Sequence, residues 1–384
     1  MVDRPFWRKR LEDVWRLTPI AWLTGVRRVG KTTLAKGIPN ARYLNCDLPS
    51  TVAQLRDPER FYTGVAEPVV IFDEVHQLPD PSLLLKIGAD QYPHLKILAT
   101  GSSTLAATKK FRDSLAGRKQ VIHLFPVLFQ ELNAFGTPDL DRRLLYGGLP
   151  PIVLAKEQQP VFYAEWLDSF YARDVQELFH VEKRAGFLRL LETLLRQSGG
   201  LAEAAKLGKM CELSRPTILN YLNVLQVTHA IAVLRPYHDG GKQELVRQPK
   251  IYGFDTGFVA YCLGWNELRP ADRGPLWEHV VLETLLASPQ PQTVHYWRDK
   301  QQHEIDFVIP RGRGACDAIE CKWDPETFDP DHFALFRRQY PSGRNVVVTP
   351  QRGETYRRTM AGLEVTFLNP TQMMPRENSL SSPA

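Results

Sequence analysis

The chain has 384 residues, 43% of them apolar and 24% charged, and a formal net charge of +5. That length predicts two or three domains, and that balance excludes a disordered or fibrous chain. No apolar run is long enough to span a membrane as a helix, and the charged start lacks the apolar core of a signal peptide, so a cytoplasmic location is expected. The five cysteines, Cys46, Cys211, Cys262, Cys316 and Cys321, show no CxxC spacing, which argues against a zinc site and a disulfide scaffold.

The first 150 or so residues alternate strand and helix signals. Apolar runs at Ile20–Thr24, Tyr43–Cys46, Pro68–Phe72, Leu95–Thr100 and Val121–Leu124 read as strands. Near-continuous apolar runs suit strands buried on both faces of a parallel sheet. With helices between them, a doubly wound α/β domain is expected.

Gly25-Val26-Arg27-Arg28-Val29-Gly30-Lys31-Thr32-Thr33 follows the first strand and has the full GxxxxGK(S/T) spacing of a phosphate-binding loop. Its glycines let backbone N–H groups turn inward around phosphate oxygens; Lys31 would neutralise the β and γ phosphates, and Thr32 would ligate Mg²⁺. ATP and Mg²⁺ are therefore the expected ligands. Val69–Phe72 runs into Asp73 and Glu74, placing two carboxylates at the carboxyl end of a buried strand, where ligands bind in open α/β sheets. Asp73 would hold Mg²⁺ through water and Glu74 would polarise the attacking water. Ser102 or Thr100, at the end of the next core strand, would face the γ-phosphate.

From Leu144 to about Val181 the pattern is helical, interrupted at Gly147-Gly148-Leu149-Pro150-Pro151. Ala204–Met210, the turn Cys211–Leu213 and a helix Arg215–Leu225 capped by Ser214 resemble a helix-turn-helix, with Ile231–Leu234 starting a wing. Ile218, Leu222 and Leu225 share one face, and Arg215, Thr217, Asn220 and Tyr221 fall mostly on others. DNA contact is one use of such a segment; spacing and subunit contact are others.

The last part holds a second cluster of charged residues. Gly274–Glu283 reads as a helix bearing Glu278 and Glu283; Glu304–Ile309 and Ala318–Lys322 read as alternating strands. Glu320 and Lys322 point to one face, since the side-chain period of a strand is two. A helix acid, a strand Asp306 and a Glu-x-Lys in that order match the core of the PD-(D/E)XK nucleases. Two or more carboxylates hold Mg²⁺ or Mn²⁺, which lowers the pKa of bound water, and the lysine positions or deprotonates that water or stabilises negative charge. Asp306, Glu320 and Glu278 are the candidate metal ligands, Glu283 the second helical choice, and Lys322 the catalytic base or stabiliser. Trp277, Trp297 and Trp323 read as packing residues, and Arg337-Arg338 as a solvated helix face.

Thr24–Leu34, Asp73–His76, Thr100–Ser103, Ser114–Arg118, Tyr146–Pro150 and Trp297-Arg298 together resemble the prokaryotic AAA+ ATPases whose carboxy-terminal domain has long been described as of unknown function. The similarity runs to about residue 350; its nucleotide motifs are specific and the later ones short. It implies an arginine supplied by a neighbouring subunit, for which Arg118 is the first candidate and Arg112 the second, and hence a homo-oligomer, commonly a ring of six. Arg142, Arg143 and Arg173 are all candidates for the family's second sensor arginine. The expected organisation is an AAA+ domain over 1–145, a helical lid or linker over 146–186, a winged helix-turn-helix over 187–236, an α/β PD-(D/E)XK nuclease-like domain over 237–370 and a disordered tail over 371–384. The expected activity is ATP-dependent remodelling of, or translocation on, duplex or branched DNA, as in repair or recombination, with a metal-dependent endonuclease. The alternative is a nucleotide-controlled switch or DNA-binding regulator with an inactive docking domain.

Overall fold

The computed structural model describes residues 2–101, 109–155, 160–176, 179, 181, 183–238, 248–289, 292–312 and 314–373. After a first helix, Pro5–Trp15, five strands form the first sheet: β1 (Ile20–Thr24), β2 (Ala41–Asn45), β3 (Val69–Asp73), β4 (Lys96–Thr100) and β5 (Lys119–His123). All pair in parallel, in the order β2-β3-β4-β1-β5. Every residue of β1 and β3 is buried, as the apolar runs predict. Ala21 and Leu23 enter one apolar cluster and Ile20 and Trp22 the other, so the sheet is covered on both faces. Burying a large apolar side chain contributes about 1.5–3 kcal/mol, which is why this alternation holds the sheet between its helices. The order also sets the carboxyl ends of β1, β4 and β3 in a row, so the loop after β1 and the acids Asp73 and Glu74 at the end of β3 lie on the same edge of the sheet, one strand apart.

Helices Leu140–Tyr146, Pro150–Val153 and Pro160–Phe170 follow, the last running into a π-turn at Tyr171–Gln176. Arg184–Arg196, Ala204–Cys211 and Arg215–Val227 form the next helical group. Ser214 Oγ accepts from Thr217 N at 3.3 Å, the start signal read from the sequence. Tyr221 departs from expectation: it is 5% exposed and packs edge-on against Phe187, because its aromatic ring fills the core between two helices instead of facing out.

Among the described residues a second sheet has nine strands: β6 (Gly200–Leu201), β7 (Ile231–Pro236), β8 (Lys250–Gly253), β9 (His295–Arg298), β10 (Glu304–Pro310), β11 (Cys316–Cys321), β12 (Asn345–Val348), β13 (Tyr356–Met360) and β14 (Leu363–Leu368). Their order is β13-β14-β12-β11-β10-β9-β7-β8-β6. Residues Arg235 and Pro236 of β7 pair in parallel with His295 and Tyr296 of β9, so the sheet runs across the boundary expected at 236/237. One apolar core likewise extends from Trp7 to Val348.

Two surface expectations change. Arg337 is 7% exposed, not solvated; its guanidinium donates to Asn345 Oδ1 and to the carbonyls of Cys316, Tyr340, Ser342 and Arg344, tying its helix to the start of β11 and the loop before β12. Residues 371–373 of the expected tail belong to the helix Pro370–Met373, and 374–384 lie outside the described residues.

Candidate functional site

The phosphate loop is built where the sequence places it, between β1 and the helix Lys31–Lys36. Gly25 has φ +146°, and a Cβ there would meet Leu124 O at 2.5 Å; Gly30 has φ +100°. Both positions require glycine. Lys31 Nζ is folded back on the loop, donating to Gly25 O at 2.8 Å and Val26 O at 3.2 Å. Burial lowers its pKa, opposed by Glu74, Asp174 and Asp73. Val26, Arg27, Arg28, Val29, Thr32 and Thr33 line the same cleft, of about 810 Å³, with Glu74, His76, Arg173 and Asp174.

Asp73 is 2% exposed and both its oxygens are engaged: Thr100 Oγ1 donates to Oδ1 and Tyr43 OH to Oδ2 at 2.6 Å. Glu74 N in turn donates to Thr100 Oγ1 at 2.9 Å. Glu74 sits in the left-handed region, φ 56°, which is strained for a glutamate and typical of positions where geometry serves a site. Its carboxylate lies 3.3 Å from His76 Nδ1. Ser102 and the side chain of Arg112 lie outside the described residues. An all-oxygen set of Asp73 and Thr32 suits Mg²⁺, which keeps most of its waters.

Asp174 escaped the sequence reading. It lies in the π-turn, 3.5 Å from Arg27, and burial raises its pKa while Arg27 and Lys31 lower it. No local motif marks it, although π-turns inside helices recur at functional sites. Of the three sensor candidates, Arg173 lines the cleft, Arg142 donates to Ala155 O, and Arg143 is buried elsewhere. Arg118 precedes β5, at the opposite end of the sheet from the loop, and holds Asp90 through two bonds of 2.6 and 3.0 Å.

A buried joint connects this cleft to the last domain. Trp166 Nε1 donates to Arg27 O at 3.0 Å, and His229 Nε2 meets Thr24 Oγ1 at 3.1 Å. Gly148 N donates to Asp255 Oδ2 at 2.7 Å, and a Cβ on Gly147 would fall 1.9 Å from Asp255 Oδ1. Arg143 donates to Val127 O, Thr256 Oγ1 and Glu283 Oε2. Burial pushes Glu283 up to about 7, with Arg143 opposing. Glu283 therefore belongs to this joint, because five helical residues rotate it away from Glu278.

Glu278, on the helix Pro270–Leu286, faces a different group. The antiparallel register of β10 and β11 pairs Phe307 with Ile319, so one step further sets Asp306 opposite Glu320. The pairing of β10 with β9 is irregular between Ile305 and Val308, a bulge that re-aims side chains at this point. Asp306 Oδ2 accepts from Cys321 N at 2.8 Å, and Lys322 Nζ holds Glu320 Oε2 at 3.0 Å. Glu320 Oε1 is buried with no hydrogen-bond partner. Tyr252 OH donates to Glu278 Oε2 at 3.1 Å. Burial, then Asp306, pushes Glu278 up to about 8 and holds Glu320 well above the carboxylate range. Burial lowers Lys322, but Glu320 and Asp306 outweigh it and keep the ammonium charged. Among the described residues no three His, Cys, Asp or Glu side chains form a ready-made metal-holding group. The acids are close enough to feel one another's charge yet are not gathered into a cage.

A parallel sheet with strand order β2-β3-β4-β1-β5, a phosphate loop after β1 and an Asp-Glu pair after β3 defines the first part of the chain as an AAA+ ATPase domain. Residues 17–133 match the family model of the AAA domain, residues 137–269 a domain of unknown function, DUF8612, and residues 273–367 another, DUF4143. The uncharacterized proteins Mb2031c of Mycobacterium bovis and Rv2008c of Mycobacterium tuberculosis are each 29% identical to it over 322 residues, covering 80% of this chain and 71% of theirs. A solved McrB AAA+ hexamer with bound McrC from Thermococcus gammatolerans overlaps 67% of this chain and 75% of its own at 13% identity, with a TM-score of 0.26, too slight a likeness to define the fold. Among the described residues no helix is long and apolar enough to cross a membrane.

Proposed function

We propose that the chain is a DNA-processing ATPase in which nucleotide hydrolysis at the cleft serves metal-dependent phosphodiester chemistry at the carboxylate group. In the cleft, Lys31 neutralises the transferring phosphates, Thr32 and Asp73 hold Mg²⁺, and Glu74 orients the attacking water. Arg118, outside its own chain's cleft, serves a neighbour's in a homo-oligomer such as a ring of six. Arg173 is the sensor that contacts nucleotide within the chain.

The observation that carries the second half is the placement of Asp306 opposite Glu320, with Lys322 and the helix acid Glu278 beside them. This supports the PD-(D/E)XK nuclease-like reading of 237–370. The donor set is oxygen only, and Glu320 Oε1 is a buried acceptor without a partner, which fits Mg²⁺ or Mn²⁺ held by one or two carboxylates and water. Such an ion supplies an activated water and a polarised phosphodiester. Lys322, bonded to Glu320, positions or deprotonates that water or stabilises developing negative charge. The order helix, β6, helix, helix, β7, β8 supports the winged-helix reading, and the exposed Arg215 and Asn220 of its second helix offer DNA contacts.

Purified protein should hydrolyse ATP with Mg²⁺, respond to duplex or branched DNA, and cut it with Mg²⁺ or Mn²⁺. Lys31→Ala should abolish hydrolysis, and Asp306→Ala and Lys322→Ala should abolish cleavage while leaving the basal ATPase intact. An ATPase indifferent to every DNA offered, with no cleavage by either ion, overturns the proposal. The ion pairs that Glu320 and Glu304 already make with Lys322 and Lys250 favour one alternative, a nucleotide-controlled switch or DNA-binding regulator whose last domain docks a partner. It predicts ATP binding and no cleavage.

A further inference from the structure

We propose that Lys250 is a second resident cation of the carboxylate group, beside Lys322, and that a divalent ion binds there against its charge. The inference rests on the metal-binding part of the proposed function and not on DNA cleavage. Sequence reading placed Lys250 nowhere near Asp306; 56 residues separate them in the chain (306 minus 250).

Lys250 and Tyr252 are two apart on β8 and share a face. Lys250 is 3% exposed, and its ammonium donates to Glu304 Oε1. Glu304 stands two residues before Asp306 on β10, and its other oxygen lies 3.1 Å from Arg298 Nη1. From the same strand, Tyr252 OH holds Glu278 Oε2. The wing-side strand therefore touches both the helix acid and the strand that carries Asp306. Tyr296 packs under the Lys250 ammonium, its ring centre 5.7 Å from Nζ.

This arrangement answers a problem of charge. Glu278, Glu304, Asp306 and Glu320 bring four acids together, and a buried carboxylate is strongly disfavoured without a counter-charge. Lys322 answers Glu320, while Lys250 and Arg298 answer Glu304. Glu320 is 3% exposed, and its Oε1 still lacks a partner, which leaves a buried acceptor for a further cation. A divalent ion entering beside Asp306 and Glu320 feels the Lys250 charge as repulsion, because Glu304, which holds Lys250, stands two residues from Asp306 on the same face of β10. Lys250 thus sets how tightly the ion is held, and the packing of β8 sets where Lys250 lies.

The test is a titration of Mn²⁺ into the full-length, nucleotide-free chain, followed by the paramagnetic resonance of free Mn²⁺. Binding that Asp306→Asn removes is assigned to this group. At an effective dielectric near 20, loss of a nearby unit charge changes divalent affinity by about ten-fold or more. Lys250→Met should tighten the Asp306-dependent binding by that factor, and Lys250→Arg should leave it unchanged. Glu304→Gln, which frees the charges of Lys250 and Arg298, should weaken it. A purely structural ion pair predicts the same sign for Lys250→Met and Glu304→Gln, so equal signs overturn the proposal. If wild type binds no Mn²⁺ here, binding gained by Lys250→Met supports the proposal and none gained overturns it. If near-ultraviolet circular dichroism shows Lys250→Met unfolded, Lys250→Gln takes its place. Mn²⁺ bound without nicking of plasmid DNA would overturn the nuclease reading and leave this one standing.

Discussion

At the scale of single residues, the buried charges make the sharpest demands. Arg143 has a side chain 0% exposed against Glu283 at 7%. Removing one partner of such a pair leaves an uncompensated charge, so Arg143→Met should lower stability by about 3–5 kcal/mol in urea denaturation. Arg143→Met combined with Glu283→Leu should recover much of that loss. His279 makes a second test. Its Nδ1 lies 2.9 Å from Pro275 O and its Nε2 2.6 Å from Ser198 Oγ, a pairing that suits the neutral ring. Burial depresses it to about 4 from an ordinary 6.5. A depressed value means its stabilising contribution is present above 6.5 and is lost as pH falls through about 4. Glu278 and Glu283 are raised and act with the opposite sign, gaining stability as pH falls from about 8 and 7. The histidine's share is therefore read as a difference: the stability gap between wild type and His279→Gln should narrow by roughly a few kcal/mol between pH 7 and pH 4, at about 1.4 kcal/mol per pKa unit.

At the scale of elements, glycines separate packing from propensity. A Cβ on Gly148 would lie 2.6 Å from the Arg143 guanidinium, which three acceptors hold in place, so Gly148→Ala should destabilise the chain clearly. Gly274 lies inside the helix Pro270–Leu286 with nothing within 4 Å of a Cβ. Gly274→Ala should change stability by less than about 1 kcal/mol, because the unfolded-state entropy it removes is offset by the conflict between a Cβ before proline and the Pro275 ring. The sizes of the two shifts in thermal midpoint check the pair. Much of this level was legible beforehand. The five parallel strands follow from apolar runs, and the phosphate loop from a spacing that few other structures need. The start of the helix Arg215–Val227 follows from Ser214 and Pro216. Tyr221 and Arg337 were misread because their types favour the surface on average, whereas each fills or ties a place formed by distant segments.

At the scale of the whole molecule, the two candidate chemistries share one core and one buried joint. Arg143 of the helix Leu140–Tyr146 reaches Glu283, Gly148 is held by Asp255, and β7 joins β9 in a single sheet. A fragment of residues 1–236 should therefore fail to fold, since it strands Arg143 and exposes the face covered by the helix Pro270–Leu286. A fragment with native near-ultraviolet circular dichroism and a sharp melt would contradict this.

By itself the sequence determined the nucleotide half: Gly25 to Thr33, Asp73 and Glu74 act through local backbone shape and strand position, which spacing records. It also marked Asp306, Glu320 and Lys322, because a two-residue period and a strand pair suffice to align them. Only the tertiary structure decided the rest. It separated Glu283 from Glu278, brought Asp174 and Arg173 to the cleft, and set Lys250 beside Glu304. Those placements depend on contacts between segments far apart in the chain, and their energy is the attraction of paired charges set against the cost of desolvating them, which no local pattern encodes.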